Sequence, residues 1–199
     1  MSNNILTIDT NADAGVLKEE EIKPLPIFND NHPMMKQKIP DYDLRTLPNP
    51  VMNKLVQRLN MTMKMYNGLG LSANQCGVFE RVFIIGNGDL AITCINPKVI
   101  KTSESVKKDN EGCLSFPGMF LKIERPESVD VEFYDINGKL HNVTFDGLTA
   151  RCFLHELDHM NGITMTQHVK PLALKMAKDK QNKLYKKIKR IQKNNGIFV

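Results

Sequence analysis

The chain has 199 residues, of which 41% are hydrophobic and 25% charged, with a net charge of +5. That length supports one core, and the composition is ordinary for a globular protein. No run of 18 apolar residues occurs, so no membrane span is expected, and the four cysteines lack the paired C-x-x-C spacing of a disulfide framework. The first twenty residues are polar and acidic rather than basic and then apolar, which argues against a secretory signal and for a cytoplasmic location.

In chain order, residues 1–25 read as a polar, irregular arm. Asn49-Pro50 has the pattern of a helix cap followed by a first-turn proline. Val51, Leu55, Leu59, Met63 and Tyr66 then trace a stripe that ends at Asn67-Gly68. Two apolar runs, Arg81–Ile85 and Ala91–Ile95, read as buried strands joined through Gly86-Asn87-Gly88. Val129, Val131 and Phe133 alternate with polar residues, Asp135–Gly138 turns the chain, and a further strand runs to Phe145. A helix follows, with Leu148, Cys152, His155 and His159 on one stripe and Gly162 as a left-handed stop. Beyond it, Pro171 opens another helix in which Leu174, Ala177, Gln181, Leu184, Ile188 and Ile191 trace a stripe with lysines around it. Residues 170–193 hold ten lysines and arginines against a single acid, Asp179. Such a face is either plainly solvated or suited to a phosphate backbone. The expected architecture is α+β: antiparallel strands packed around a central helix, with an additional C-terminal helix. The expected organisation is an arm over 1–25, a catalytic domain over 26–168 and a lysine-rich helix and tail over 169–199.

The chemistry concentrates in His155-Glu156-Leu157-Asp158-His159, an H-E-x-x-H pattern. Positions i and i+4 share a helix face, so two imidazoles can grip one metal ion, and Glu156 beside them can carry a proton for metal-bound water. The bland reading is two histidines on the surface of a charged helix. A catalytic site of this kind takes three protein ligands and keeps one position open. Downstream, Met165 stands where a metzincin would have its third histidine, and Asp179 lies in a lysine-rich run. Cys152 precedes His155 by three residues, but Cys152, His155 and His159 string out over about 10 Å of helix and cannot converge on one ion. It reads as a wall residue beside the site. Cys76 and Cys94 have no distinguishing context. Cys113, between Gly112 and the Phe116-Pro117-Gly118 turn, is either a ligand carried by a loop or strand, or an inert buried thiol.

Three segments together resemble peptide deformylase. They are Gly68-Leu69-Gly70-Leu71-Ser72-Ala73-Asn74-Gln75, Glu111-Gly112-Cys113-Leu114-Ser115 and His155-Glu156-Leu157-Asp158-His159. The family pattern is G-x-G-x-A-A-x-Q, E-G-C-L-S and H-E-x-D-H, in this order and at this spacing, and the match spans about residues 45 to 165. Ser72 departs from an alanine, and Asn74 stands where proline is common.

The resemblance implies that Cys113, His155 and His159 hold one divalent metal, with iron(II) as the native ion and zinc, nickel or cobalt as alternatives. It implies that Glu156 moves the proton, and that the Gln75 amide and the Leu114 backbone N–H stabilise the oxyanion. The substrate would be an N-formylmethionyl peptide, bound by Gly70, Leu71, Glu111, Gly112, Leu148 and Cys152. Arg125 matches a basic position that pairs with Asp158. Gly68 and Gly70 are expected to let the backbone approach the peptide. The basic C-terminal helix either simply docks on the core or meets a partner, the ribosome being the one the resemblance suggests without a specific motif, and a monomer is expected. Two other readings compete. A metallopeptidase would need a different third ligand. A basic RNA- or ribosome-binding protein with a structural metal would need a fourth protein ligand and would have no use for Glu156.

Overall fold

The computed structural model describes residues 22–86 and 91–194. Most of the expected arm, 1–21, lies outside these residues. Its last residue, Leu25, is buried, and its backbone N–H donates to Thr62 Oγ1 at 2.7 Å.

Helix α1, Pro50–Met65, starts as expected: Asn49 accepts from the Met52 N–H and Pro50 fills the first turn, where no backbone donor is needed. The expected stripe is rotated at its ends. Val51 is 79% exposed and Tyr66 is 50% exposed, while Met52, Leu59, Thr62 and Met63 are buried. Phase is set by what the helix packs against, and the alternating methionines of this segment satisfy either phase.

Five strands form one antiparallel sheet in the order β1-β2-β3-β6-β7: β1 Gly70–Ser72, β2 Val82–Ile85, β3 Ile92–Thr102, β6 Ser128–Tyr134 and β7 Leu140–Asp146. Every residue of β2 is buried, because both faces of the sheet are covered there. On one face Phe83, Ile85, Cys94, Val129, Val131 and Phe133 pack against Ala150, Phe153, Leu157 and Met160. On the other, Leu71, Val82, Ile84 and Ile95 pack with Met52, Leu59 and Met63. A strand covered on both faces loses its alternation and reads as a continuous apolar run. Strand β3 runs seven residues past its expected end at Ile95, bending at register shifts between Ile95 and Lys98 and between Val99 and Lys101. The β6–β7 turn forms as expected, with Gly138 at φ +76° donating to Asp135 O.

A second, two-stranded sheet was not anticipated: β4 Val106–Gly112 pairs with β5 Phe120–Pro126. Helix α2, Gly147–Met160, lies on the large sheet, its Phe153 ring set edge-on to Phe83 at 5.2 Å. Gly162, at φ +71°, donates to His159 O and ends it. Helix α3 spans Pro171–Asn194. Leu174 and Ala177 pack on a small core of Phe116, Met119, Leu121, Ile123 and Met165. Gln181 and Tyr185 both donate to Pro117 O. Past that point the stripe is open, with Ile188 and Ile191 exposed.

Candidate metal centre

Cys113 is the first residue after β4, and His155 and His159 lie one turn apart on α2. Their ligand-type atoms all lie within 4.8 Å of one another. The two imidazole planes stand at 81°, and Cys113 Sγ lies 3.3 Å from His159 Nε2. A thiolate and two imidazoles are the donor set that a borderline divalent ion prefers, so these residues fit such a metal. Among the described residues no fourth His, Cys, Asp or Glu joins the group. The arrangement has the open form of a catalytic site rather than the closed form of a structural one.

A buried ionic network orients the first histidine. His155 Nδ1 meets Glu111 Oε2 at 3.1 Å, which leaves Nε2 as its ligand nitrogen. Burial alone would raise the Glu111 carboxyl. Hydrogen bonds from His155 and Arg125 overcome that and hold it well below the usual carboxylate range. Arg125 donates twice to Glu111, at 2.9 and 3.1 Å, and once to Asp158 Oδ2 at 2.7 Å. The expected Arg125–Asp158 pair therefore forms, but Glu111 is the guanidinium's principal partner. Arg151 adds a bond to Glu111 at 2.7 Å and others to the carbonyls of Ile123 and Lys107. Glu111 was expected at the substrate; it does line the cavity, but its carboxylate is turned to these three partners. Arg151 went unnoticed in the sequence. The available signal was an arginine exactly one turn before His155, on the face that the helix buries.

Glu156 is 3% exposed, and its Oε2 has no partner among the described residues. Burial pushes its carboxyl up to about 7, against the opposing pull of His155. A carboxyl poised there can both take and return a proton near neutrality. Gly70 has no room for a side chain: a Cβ would meet Glu156 Oε1 at 2.5 Å and Cys152 Sγ at 2.8 Å. At Gly68 it would meet Leu114 Cδ1 at 2.9 Å. These glycines thus leave room for the site's own side chains, and both also line the cavity.

Gln75 is buried in a 3-10 turn, Ala73–Cys76, between β1 and β2. Its Oε1 accepts from Ser72 N–H at 3.0 Å and from Ser72 Oγ at 2.8 Å. Its Nε2 therefore faces Cys113 Sγ at 3.4 Å and Ser115 Oγ at 3.2 Å. The serine that departs from the family motif thus adds a second donor fixing the amide's orientation.

A cavity of about 670 Å³ opens onto this group. Its walls include Gly70, Gln75, Gly112, Leu114, Leu148 and Cys152. Leu148 is 64% exposed, so it is cavity wall and not core. Cys152 donates from Sγ to Leu69 O at 3.0 Å; burial and the Glu156 and Glu111 carboxylates push its thiol well up, so it stays protonated. Leu71 does not line the cavity. It is fully buried in the core beside α1, because alternation along β1 sends it to the face opposite Gly70, and Leu69 takes the wall position instead.

The family model for polypeptide deformylase matches residues 24–194. A peptide deformylase of Thermotoga neapolitana is 38% identical over 122 residues, covering 60% of this chain and 73% of its own. Among solved structures, a peptide deformylase of Synechococcus elongatus in complex with actinonin is similar at a TM-score of 0.75 and 32% identity, covering 80% of this chain and 86% of that one. A Met-Ala-Ser-bound class I type b peptide deformylase of Acinetobacter baumannii is similar at 0.70 and 27% identity, covering 73% and 98%.

Proposed function

The chain belongs to the polypeptide deformylase family, the metal-dependent hydrolases that remove the N-formyl group from nascent peptides, and from that premise we propose how its own residues carry out the reaction. Cys113, His155 and His159 hold one divalent ion, iron(II) in the native protein, with zinc, nickel or cobalt able to replace it. When bound, the ion supplies a Lewis acid for the formyl carbonyl and for the attacking water. Glu156 takes the proton from that water and returns it to the departing amine. Gln75 Nε2 and the Leu114 N–H donate to the oxygen on which negative charge develops. Glu111 keeps His155 in the tautomer that presents Nε2.

Bond cleavage releases formate and a peptide with a free N-terminal methionine. The Acinetobacter relative bound to Met-Ala-Ser supports a peptide of that kind in the cavity. Leu148 and Cys152 form the wall against the methionine side chain. The basic outer face of α3 meets the ribosome, and the enzyme works as a cytoplasmic monomer. No described helix is long and apolar enough to cross a membrane.

One observation carries the reading: a thiol and two imidazoles converge beside a buried carboxyl with an oxygen that has no partner among the described residues. The test is formate release from formyl-Met-Ala-Ser by anaerobically prepared protein, with metal content measured on the same sample and cleavage of an unformylated peptide run in parallel. Formate release that tracks about one ion per chain, with the unformylated peptide left intact, is the expected result. Peptide-bond cleavage in place of formate release would return the chain to the metallopeptidase reading.

A further inference from the structure

The C-terminal end of α2 is held from the side by a residue that the mechanism above does not use. Asn74 is fully buried, one position before Gln75 in the Ala73–Cys76 turn. Its Nδ2 donates to His159 O at 2.7 Å, across 85 residues of sequence. It also lies 3.5 Å from Met34 O. The amide's orientation is fixed, since only its nitrogen can donate to a carbonyl. His159 O is one of the last carbonyls of α2, and it also accepts from Gly162 N–H at 3.1 Å. The adjacent carbonyl, Met160 O, accepts from the buried Arg81 guanidinium at 3.0 Å.

Asn74 Oδ1 is buried with no partner among the described residues. A half-satisfied buried amide is a poor stabiliser and calls for another reason to be there. The reason lies in what the amide joins. One peptide bond joins it to Gln75, and its hydrogen bond ends on the backbone of His159, a member of the ligand group. We infer that Asn74 is a positioning residue, tying the turn that carries Gln75 to the backbone of His159 so that oxyanion donor and metal ligand hold a fixed separation. This rests on the roles proposed above for Gln75 and His159. Asn74 itself neither lines the cavity nor belongs to the ligand group.

The test uses the full-length, metal-loaded enzyme with Asn74→Ala, Gln75→Ala and the double variant. Three quantities are read: kcat and KM on formyl-Met-Ala-Ser, the rate of metal release to a chelator, and Tm. Asn74→Ala is expected to lower kcat about tenfold with KM nearly unchanged, a part of the roughly 10²-fold that a 1 Å misplacement can cost. Metal release should speed up several-fold. Tm should hold or rise, because an unpaired buried oxygen leaves with the amide. In the Gln75→Ala background the loss in kcat should shrink, as it does for residues that act through one another. Asn74→Asp, which sets a carboxylate against His159 O, should release metal faster still; if that variant does not fold, Asn74→Ala decides alone.

Unchanged kcat and unchanged metal release in Asn74→Ala overturn the inference. So does a loss that follows a fall in Tm, or one of equal size with and without Gln75. If Gln75→Ala alone has normal turnover, the role of Gln75 fails, and metal release from Asn74→Ala still decides whether the tie to His159 holds.

Discussion

Removing the Arg125 guanidinium while keeping its apolar stem, as in Arg125→Met, tests the network behind the metal site. The side chains of Arg125 and Glu111 are 6% and 4% exposed, and that of Asp158 is 17% exposed. The substitution deletes two charge-assisted bonds to Glu111 and one to Asp158. Breaking a buried pair from one side costs about 3–5 kcal/mol, because the other charge stays buried. Two features place this case at the lower end. Glu111 keeps Arg151 and His155, and Asp158 keeps His168 at 2.7 Å. The expected loss is therefore about 3 kcal/mol, which for a chain of this size lowers Tm by about 6–12 °C. Urea unfolding should show a lower midpoint with an unchanged slope. Lys122→Met, at an exposed position on the same strand, serves as the control and should shift stability by less than about 0.5 kcal/mol. A loss under about 1 kcal/mol in Arg125→Met would refute the argument that this guanidinium balances two carboxylates.

Two further outcomes follow from the cavity and the ligand set. Cys113→Ser should lose most of its metal, while Cys152→Ser should stay nearly fully occupied, since Cys152 Sγ is committed to Leu69 O; metal analysis of the two purified variants checks this, and an empty Cys152→Ser would overturn the ligand assignment. Leu148→Ala should leave Tm within about 1 °C, because the side chain is mostly exposed, yet it should weaken the preference for formyl-methionyl over formyl-alanyl peptide by about 1–3 kcal/mol. The ratio of the two kcat/KM values is the readout, and an unchanged ratio removes Leu148 from the specificity wall.

The helix carrying the two histidines was legible because its residues recur at helical spacing and chemistry is written into the pattern. The strands of the large sheet were legible where burial on one or both faces leaves an apolar signature, as in Val82–Ile85 and Ser128–Tyr134. The β4–β5 hairpin was not. In β4 only Glu111 is buried, so Val106–Gly112 offers no hydrophobic alternation to read, although it delivers both Glu111 and Cys113 to the site. Cys113 itself could not be assigned from spacing. It lies 42 residues before His155, and only the family resemblance pointed to it. Arg151 and Asn74 were hidden for a related reason. Their roles lie in partners 40 and 85 residues away, a distance that no local pattern encodes. Leu71 belongs to the motif but not to the cavity, because strand alternation, not motif membership, decides which face a side chain meets.

The central claim is that Glu156 moves the proton in a hydrolysis run at the Cys113–His155–His159 centre. The most direct test is formate release by Glu156→Gln, with metal content and turnover measured on the same preparation. The account predicts a full complement of metal and turnover reduced by about 10²-fold or more. Metal retained with near-normal turnover would contradict it.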